Sequence, residues 1–231
     1  MKKALLIFSL LLNVAFIAYH ASKKVSNWKA QRTDHSKDSL VTFTYNKFKV
    51  FNERKAFFTT DTITSDDIVF TGNSLIENFQ VADYLGKIKN RGMSGDNTND
   101  LLSRIDEIIA GHPAKVFIME GINDIGQNIP ENKTMENFNK IITAFQKGSP
   151  RTLVYVYSIL PVKNPASTPT IQKYNKEIAA ICGLHQVKFI DLFPYFFNGK
   201  GMKEDLTVDG IHLTAKGYQI WCNSLKKDFK F

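Results

Sequence analysis

The 231-residue sequence contains only two cysteines, Cys182 and Cys222. Two cysteines do not make a disulfide framework, and their separation matches no metal-binding motif. Each cysteine lies in an apolar, helix-like stretch, so we expect two buried thiols, with a single disulfide bridge as the alternative. The sequence also contains no internal repeat.

The charge is unevenly distributed along the chain. The formal net charge is +8, and residues 22–60 carry nine Lys or Arg against three Asp or Glu, a local excess of +6. No basic stripe with interleaved aromatic residues accompanies the motifs described below, so we expect no nucleic-acid partner. Two interpretations of residues 22–60 stay open, a segment that meets anionic lipid headgroups and a solvated linker.

The N-terminus has the features of an export signal. A cationic start, Met1–Lys3, precedes an apolar run from Ala4 to Tyr19 that only Ser9 and Asn13 interrupt. The run is short for a bilayer span, which takes roughly 20 residues, and the cleavage site after it is poor. We therefore predict that residues 1–21 form either a cleaved signal peptide or an uncleaved membrane anchor, and that the remainder is exported to the periplasm or cell surface.

We assign the basic region, residues 22–63, to a tether and an N-terminal helix. After it, apolar segments alternate with amphipathic segments. The predicted strands lie near residues 68–72, 87–90, 115–120, 152–159 and 187–192. The predicted helices lie near residues 75–84, 98–110, 135–147, 169–182 and 215–227. This alternation predicts an α/β domain over residues 64–231, with a parallel sheet covered by helices on both faces.

The pattern of residues 68–78 predicts a buried strand that ends in a tight turn, after which a helix begins. Ser74 lies in this turn, at the sheet edge where open α/β proteins keep their chemistry. A serine at a helix start can act as a nucleophile, with its own backbone N–H directed at an oxyanion. The alternative is that Ser74 only caps the helix, a position that serine favours.

Four other residues follow strand ends and can therefore meet Ser74 at the same edge. Histidine is the usual general base near neutral pH, which makes His212 the candidate to activate Ser74. Asp209 precedes it by three residues, a spacing that on one helical turn puts both side chains on one side, where the carboxylate would orient the imidazole. The backbone N–H groups of Ser74 and Gly95 and the side-chain amide of Asn123 could form an oxyanion hole.

The same residues allow two alternative interpretations. The order Ser, Asp, His is that of α/β-hydrolases, yet their Gly-x-Ser-x-Gly elbow is absent, because Ile76 replaces its second glycine. Metal binding would use three carboxylates and one imidazole, from Asp96, Asp124, Asp209 and His212. That reading leaves Ser74 and Asn123 without a role.

Taken together, these residues resemble the SGNH (GDSL-type) hydrolase family. The four similar blocks are Phe70–Leu75, Asn90–Asp96, Gly121–Asp124 and Asp209–His212. By this resemblance, Ser74, Asp209 and His212 correspond to the catalytic triad, and Ser74, Gly95 and Asn123 to the oxyanion hole. The resemblance covers about residues 64–231. It implies a flavodoxin-like three-layer sandwich with a five-stranded parallel sheet, and no metal or other cofactor.

The resemblance also implies a function, hydrolysis of carboxylic esters by a serine nucleophile. Among family members the sequence is most similar to bacterial carbohydrate O-acetylesterases and to platelet-activating-factor acetylhydrolase. We therefore expect removal of acetyl or other short acyl groups from a small-molecule, glycan or lipid ester. A lysophospholipase or thioesterase of the same family is one alternative, and an inactive, membrane-tethered glycan-binding module is another. Asn73 replaces the family's usual aspartate, which we expect to tune the site without abolishing it.

Three further features have simpler interpretations. We assign Arg91 and Glu120 to structural pairing, and the aromatic cluster Phe193–Phe197 to the core, with a sugar-stacking wall as the alternative. The proline-rich stretch Pro161–Pro169 is predicted to be a loop that shapes the site. The oligomeric state is not indicated by the sequence.

Overall fold

The computed structural model describes residues 49–79 and 88–228. The chain divides into two compact units, Met1–Lys55 and Ala56–Phe231. In the first unit, the described residues 49–55 are helical, and the second unit opens with helical residues 56–60. The predicted signal or anchor at residues 1–21 lies outside the described residues, as does most of the basic tether. Within the described ranges, every helix is too short or too polar to cross a membrane.

The second unit is built on a five-stranded parallel sheet with strand order β2-β1-β3-β4-β5. The strands are β1 Ile68–Gly72, β2 Ile88–Gly92, β3 Lys115–Met119, β4 Leu153–Tyr157 and β5 Lys188–Ile190. This is the flavodoxin-like order, and it confirms the predicted fold class. Because β1 lies between β2 and β3, the turns after these three strands meet at one edge of the sheet.

The helices are numbered here from β1 onward. They are α1 Ser74–Glu77, α2 Thr98–Leu102, α3 Ile105–Ala110, α4 Ile122–Gly126, α5 Glu131–Gly148, α6 Thr168–Leu184, α7 Phe193–Phe196 and α8 Ala215–Asp228. Short 3₁₀ turns at Pro165–Ser167 and Glu204–Leu206 complete the described connections.

Side chains alternate across the sheet and define two cores. On β3, Val116 and Ile118 face one core while Phe117 and Met119 face the other, as the period of two in a strand requires. The first core is closed by α2, α3, α5 and α6, and the second by α1, α7 and α8. Helices on both faces of a parallel sheet confirm the three-layer prediction.

The structure differs from the predicted elements in several places. Helix α1 ends at Glu77 where the prediction extended to about residue 84, and the short helix α7 was not predicted. The single helix predicted over 98–110 is divided in two, because Ser103 and Arg104 form a turn that directs the Arg104 side chain inward. Helix α4 follows β3 where no helix was predicted, since its five residues are too few to display a helical period.

The cysteines and the aromatic cluster lie where the sequence placed them. Cys182 and Cys222 are buried and form no disulfide. Phe193 and Phe196 are buried in the two cores, so the core interpretation of their cluster is confirmed for these two rings.

Candidate active site

Ser74 is positioned by the sharp turn at the end of β1. Gly72 adopts a φ of 141°, and a Cβ there would lie 2.0 Å from the Met119 carbonyl oxygen, so only glycine fits. Asn73 caps helix α1, with its side-chain oxygen accepting a hydrogen bond from the Leu75 N–H at 3.0 Å. The alternative in which Ser74 is the cap is therefore wrong. The structure instead places Ser74 at the first helical position, with its hydroxyl available for other contacts.

Three of the predicted side chains form one hydrogen-bonded series. The Ser74 hydroxyl lies 2.9 Å from His212 Nε2, although 138 residues separate the two in sequence. His212 Nδ1 lies 2.6 Å from the Asp209 carboxylate. Because an ionised carboxylate can only accept, Nδ1 carries the proton, and Nε2 is left to accept a hydrogen bond from the serine hydroxyl.

The helical turn predicted to join Asp209 and His212 is not present. These residues instead form a loop in which the Asp209 carboxylate accepts hydrogen bonds from the backbone N–H groups of Ile211, at 2.9 Å, and His212, at 2.8 Å. Gly210 supplies the left-handed conformation between them, with a φ of 98°. The loop is closed by antiparallel pairing of Thr207 with Leu213. The three-residue spacing therefore brings Asp209 to His212 through a turn that the Asp209 carboxylate caps, and not through a helical turn.

These hydrogen bonds also set the charge of the site. They lower the pKa of Asp209 to about 2, with the His212 side-chain bond as the main cause and the two backbone N–H groups next. Asp209 is therefore a carboxylate at neutral pH. The side chains of His212 and Asp209 are 34% and 51% exposed, so the site opens directly to solvent.

The proposed oxyanion donors lie on the neighbouring turns. Within the described residues, the backbone N–H groups of Ser74 and Gly95 have no hydrogen-bond acceptor. The Asn123 amide donates one hydrogen to the Asp96 carbonyl oxygen at 2.6 Å, which leaves its second hydrogen for another acceptor. The register of the sheet explains this proximity, because Gly72 is paired with both Gly92 and Met119.

A buried ion pair beneath these turns was not predicted from the sequence. The Arg104 guanidinium donates to the Asp96 carboxylate at 2.7 Å and to the carbonyl oxygens of Arg91, at 2.9 Å, and Gly72, at 3.2 Å. Arg104 thereby ties the ends of β1 and β2 to the turn that carries Gly95. The available signal was an arginine on the apolar face of the helix predicted over 98–110.

Burial opposes ionisation of the Asp96 carboxyl group. It raises the pKa of Asp96 to about 6, although the Arg104 guanidinium acts in the opposite direction. Asp124 accepts hydrogen bonds from the Thr98 hydroxyl and, at 3.1 Å, from the Thr134 hydroxyl. Asp96 and Asp124, two of the three carboxylates of the metal alternative, are thus committed to protein partners, and the third, Asp209, is bonded to His212. Among the described residues, no group of three or more His, Cys, Asp or Glu could hold a metal ion.

The two residues assigned to structural pairing have different environments. Arg91 is fully buried and pairs with Asp61 at 2.9 Å and Glu107 at 3.1 Å, as predicted. Glu120 is also fully buried, but neither of its carboxyl oxygens has a hydrogen-bond partner among the described residues, so its predicted pairing is wrong. Burial raises the pKa of Glu120 well above its usual range, the Asp96 carboxylate acts in the same direction, and the Arg104 guanidinium acts against it.

A cleft of about 560 Å³ lies beside the candidate catalytic groups. It runs between helix α4, the loop that follows β4 and the turn between Asp209 and His212. Asn123 and Asp209 form part of its wall, together with aliphatic side chains of Ile122, Ile125 and Ile211. The proline-rich loop contributes Val162, Lys163, Asn164 and Ser167, in agreement with its predicted role.

Comparison with known proteins identifies the family of this chain. Residues 71–220 match the model of the GDSL-like Lipase/Acylhydrolase family. The chain belongs to the GDSL-like lipase/acylhydrolase family. The family resemblance inferred from the four sequence blocks is therefore confirmed.

Individual relatives of this GDSL-like protein include plant and bacterial proteins. A GDSL esterase/lipase of Arabidopsis thaliana is 26% identical over 156 residues, which are 56% of this chain and 61% of the plant protein. A structure from Streptococcus pneumonia, described as a platelet activating factor, is 28% identical with a TM-score of 0.70, covering 79% of this chain and 92% of that one. An acetylxylan esterase of Geobacillus stearothermophilus shares the fold, at 15% identity and a TM-score of 0.62, over 73% of this chain and 96% of its own.

Proposed function

We propose that this GDSL-like protein is a serine-dependent carboxylic ester hydrolase that removes acetyl or other short acyl groups from carbohydrate or lipid at the cell envelope. The observation that carries the proposal is the series Ser74, His212 and Asp209, with contacts of 2.9 and 2.6 Å. A serine hydroxyl in contact with an imidazole that a carboxylate orients is the arrangement used for acyl transfer.

The geometry supports the following sequence of steps. His212 Nε2 takes the hydroxyl proton as Ser74 Oγ attacks the ester carbonyl carbon. The oxygen of the tetrahedral intermediate accepts hydrogen bonds from the Ser74 and Gly95 N–H groups and the Asn123 amide. The imidazolium, which Asp209 stabilises, then protonates the departing alcohol and leaves an acyl group on Ser74. Water, activated by the same imidazole, releases the acid and restores the serine.

The short acyl group and its carrier rest on family relations. A relative of the same fold is named as an acetylxylan esterase, and another as a GDSL esterase/lipase, which supports acetyl groups on carbohydrate or acyl groups on lipid as substrates. The envelope location rests on the cationic start and the apolar run to Tyr19. Cell fractionation of the chain with and without residues 1–21 tests it, and equal distribution of both forms contradicts it.

A labelling experiment tests the activity itself. We expect a fluorophosphonate probe to label the wild-type protein covalently, and p-nitrophenyl acetate to be hydrolysed. Ser74→Ala should abolish both, while Ser103→Ala, which replaces an exposed serine on another turn, should retain both. Absence of labelling and turnover in the wild type would instead support the inactive binding module.

A further inference from the structure

Glu120 is a buried acid that the proposed reaction does not use. It lies between Met119, the last residue of β3, and Gly121, the residue that caps helix α4. Its side chain is fully buried, and among the described residues neither carboxyl oxygen has a hydrogen-bond partner. Since the great majority of buried polar side-chain atoms have a partner, a carboxyl group left without one at the edge of the sheet that carries the site calls for an explanation.

The charged groups around Glu120 come from three neighbouring elements. They are Asp96 on the turn after β2, Arg104 between α2 and α3, and Asp124 on α4. Arg104 already donates to the Asp96 carboxylate at 2.7 Å, and Asp124 already accepts a hydrogen bond from the Thr98 N–H at 3.0 Å. Three carboxyl groups thus share one guanidinium. Burial, followed by the charge of Asp96, raises the pKa of Glu120, so Glu120 is the member of this cluster that keeps its proton.

The residue beside Glu120 in the register of the sheet is uncharged. Gly72 is paired with Met119. The Asn73 N–H donates to the Met119 carbonyl oxygen at 3.3 Å, which extends this pairing by one residue and brings Asn73 next to Glu120. The aspartate that the family usually has at position 73 would add a buried carboxylate to a cluster that already has more carboxyl groups than guanidinium groups. The amide of Asn73 therefore suits a chain that carries its acid at position 120.

Two of the three candidate oxyanion donors adjoin this cluster. Gly95 directly precedes Asp96, and the Asp96 carbonyl oxygen accepts the Asn123 amide at 2.6 Å. Asn123 also follows Glu120 by three residues, through the left-handed Gly121 with its φ of 108°. A shift of Asp96 or of Glu120 therefore displaces groups that would hold the oxygen of the intermediate.

Ionisation of Glu120 would disturb the Arg104–Asp96 pair. A buried charge needs a partner, and in the described part of the chain no side chain donates a hydrogen bond to Glu120. The Glu120 carboxylate would therefore compete with Asp96 for the Arg104 guanidinium. Arg104 also donates to the carbonyl oxygens of Arg91, at 2.9 Å, and Gly72, at 3.2 Å, so its displacement loosens the turns that carry Gly95 and Ser74.

We propose that Glu120 is a positioning residue for ester hydrolysis, whose uncharged side chain leaves Arg104 on Asp96 and so keeps two oxyanion donors in place. The inference rests on the proposed function and adds a residue to its site. Because His212 acts as a base in its unprotonated form, the series Ser74, His212 and Asp209 alone predicts a plateau of activity at alkaline pH. Loss of the Glu120 proton lowers kcat there, since displaced donors stabilise the intermediate less well.

The test is the pH dependence of kcat for p-nitrophenyl acetate between pH 6 and pH 10, with the uncatalysed reaction subtracted. In the wild type we expect kcat to fall by about tenfold per pH unit once Glu120 ionises. The fall should level off near 10²-fold, roughly the cost of losing one oxyanion donor, with little change in KM. Recovery of kcat on return to pH 7 distinguishes this fall from irreversible denaturation.

Two amide substitutions assign the fall to its residue. Glu120→Gln keeps the shape of the side chain and cannot ionise, so its kcat should match the wild type at pH 7 and stay level to pH 10. Glu136→Gln makes the same chemical change at an exposed position on α5 and is the matched control. It should keep the alkaline fall of the wild type.

A measurement on the wild type covers the case in which Glu120→Gln does not fold. With ¹³C-labelled glutamate side chains, NMR should detect one carboxyl group that titrates over the alkaline range in which kcat falls. Exposed glutamates titrate at acidic pH and do not interfere. If no glutamate carboxyl group titrates in that range, the inference is wrong.

The outcomes separate this inference from the proposed function. Fluorophosphonate labelling at pH 7, together with a wild-type kcat that stays level to pH 10, would overturn the role of Glu120 and leave the esterase intact. The same holds if Glu120→Gln retains the alkaline fall, or if it lowers kcat equally at every pH, as a residue that only packs would. If neither labelling nor hydrolysis occurs, the proposed function fails, and this inference fails with it.

Discussion

The Arg104–Asp96 pair gives the sharpest test of how the site is held together. Both side chains are buried, at 3% and 1% exposure, and are joined at 2.7 Å. Arg104→Met retains most of the apolar stem but leaves the Asp96 carboxylate without its counter-charge. It also removes the donors that tie β1 and β2 to the turn carrying Gly95.

The expected magnitude follows from the burial of the pair. Removing one partner of a buried ion pair costs about 3–5 kcal/mol, because the remaining charge is uncompensated. Burial already raises the pKa of Asp96 to about 6, and the variant should raise it further, since the guanidinium no longer lowers it. Between the Asp96 pKa of the folded wild type and that of the folded variant, the variant keeps the Asp96 proton in its folded state and the wild type does not. The loss of unfolding free energy should therefore grow with rising pH, by up to about 1.4 kcal/mol per unit above pH 6.

Urea denaturation at pH 5 and pH 8 measures this difference, with Arg151→Met, at an exposed position, as the matched control. Because the Asp96 carbonyl holds the Asn123 amide, we also expect kcat on p-nitrophenyl esters to fall roughly 10-fold to 10²-fold, less than for outright loss of an oxyanion donor. KM should change little. A stability loss of equal size at both pH values, or an unchanged kcat in a folded variant, would refute the reasoning.

Three other substitutions have defined outcomes. Asp209→Asn should lower kcat by about 10²-fold or more without unfolding the exposed turn, as steady-state hydrolysis would detect, because an amide cannot stabilise the imidazolium as a carboxylate does. The stability of Glu120→Gln relative to wild type should rise progressively from pH 5 to pH 8 in thermal denaturation, because above pH 4.5 the unfolded wild-type chain releases the Glu120 proton that the folded state retains; a pH-independent difference would contradict this. Asn73→Asp should keep kcat/KM within about tenfold of wild type, since the carboxylate can still accept from the Leu75 N–H, and a loss above 10³-fold would show that the amide is required.

The residue pattern of the chain was sufficient to predict the sheet and the identity of the candidate site. Continuous apolar runs such as β3 can bury both faces only between two helical layers, so the fold class followed from the local sequence. The site followed from polar turns after strands, because parallel strands end at a common edge. His212 could thus be matched to Ser74 across 138 residues from the sequence alone.

Tertiary contacts decided the features that depend on where a single side chain points. Arg104 interrupts a helix that periodicity made continuous, because its guanidinium finds acceptors on three distant segments. Within the described part of the chain the Glu120 carboxyl group has no hydrogen-bond partner, which local spacing cannot distinguish from an ion pair. Asp209 reaches His212 through a capped turn, which the same three-residue spacing cannot distinguish from a helical turn. Sequence determined which chemical groups reach the sheet edge, since that depends on local propensity and burial. Only the folded chain determined how those groups are held and what the cleft beside them accepts, since both depend on contacts between residues far apart in sequence.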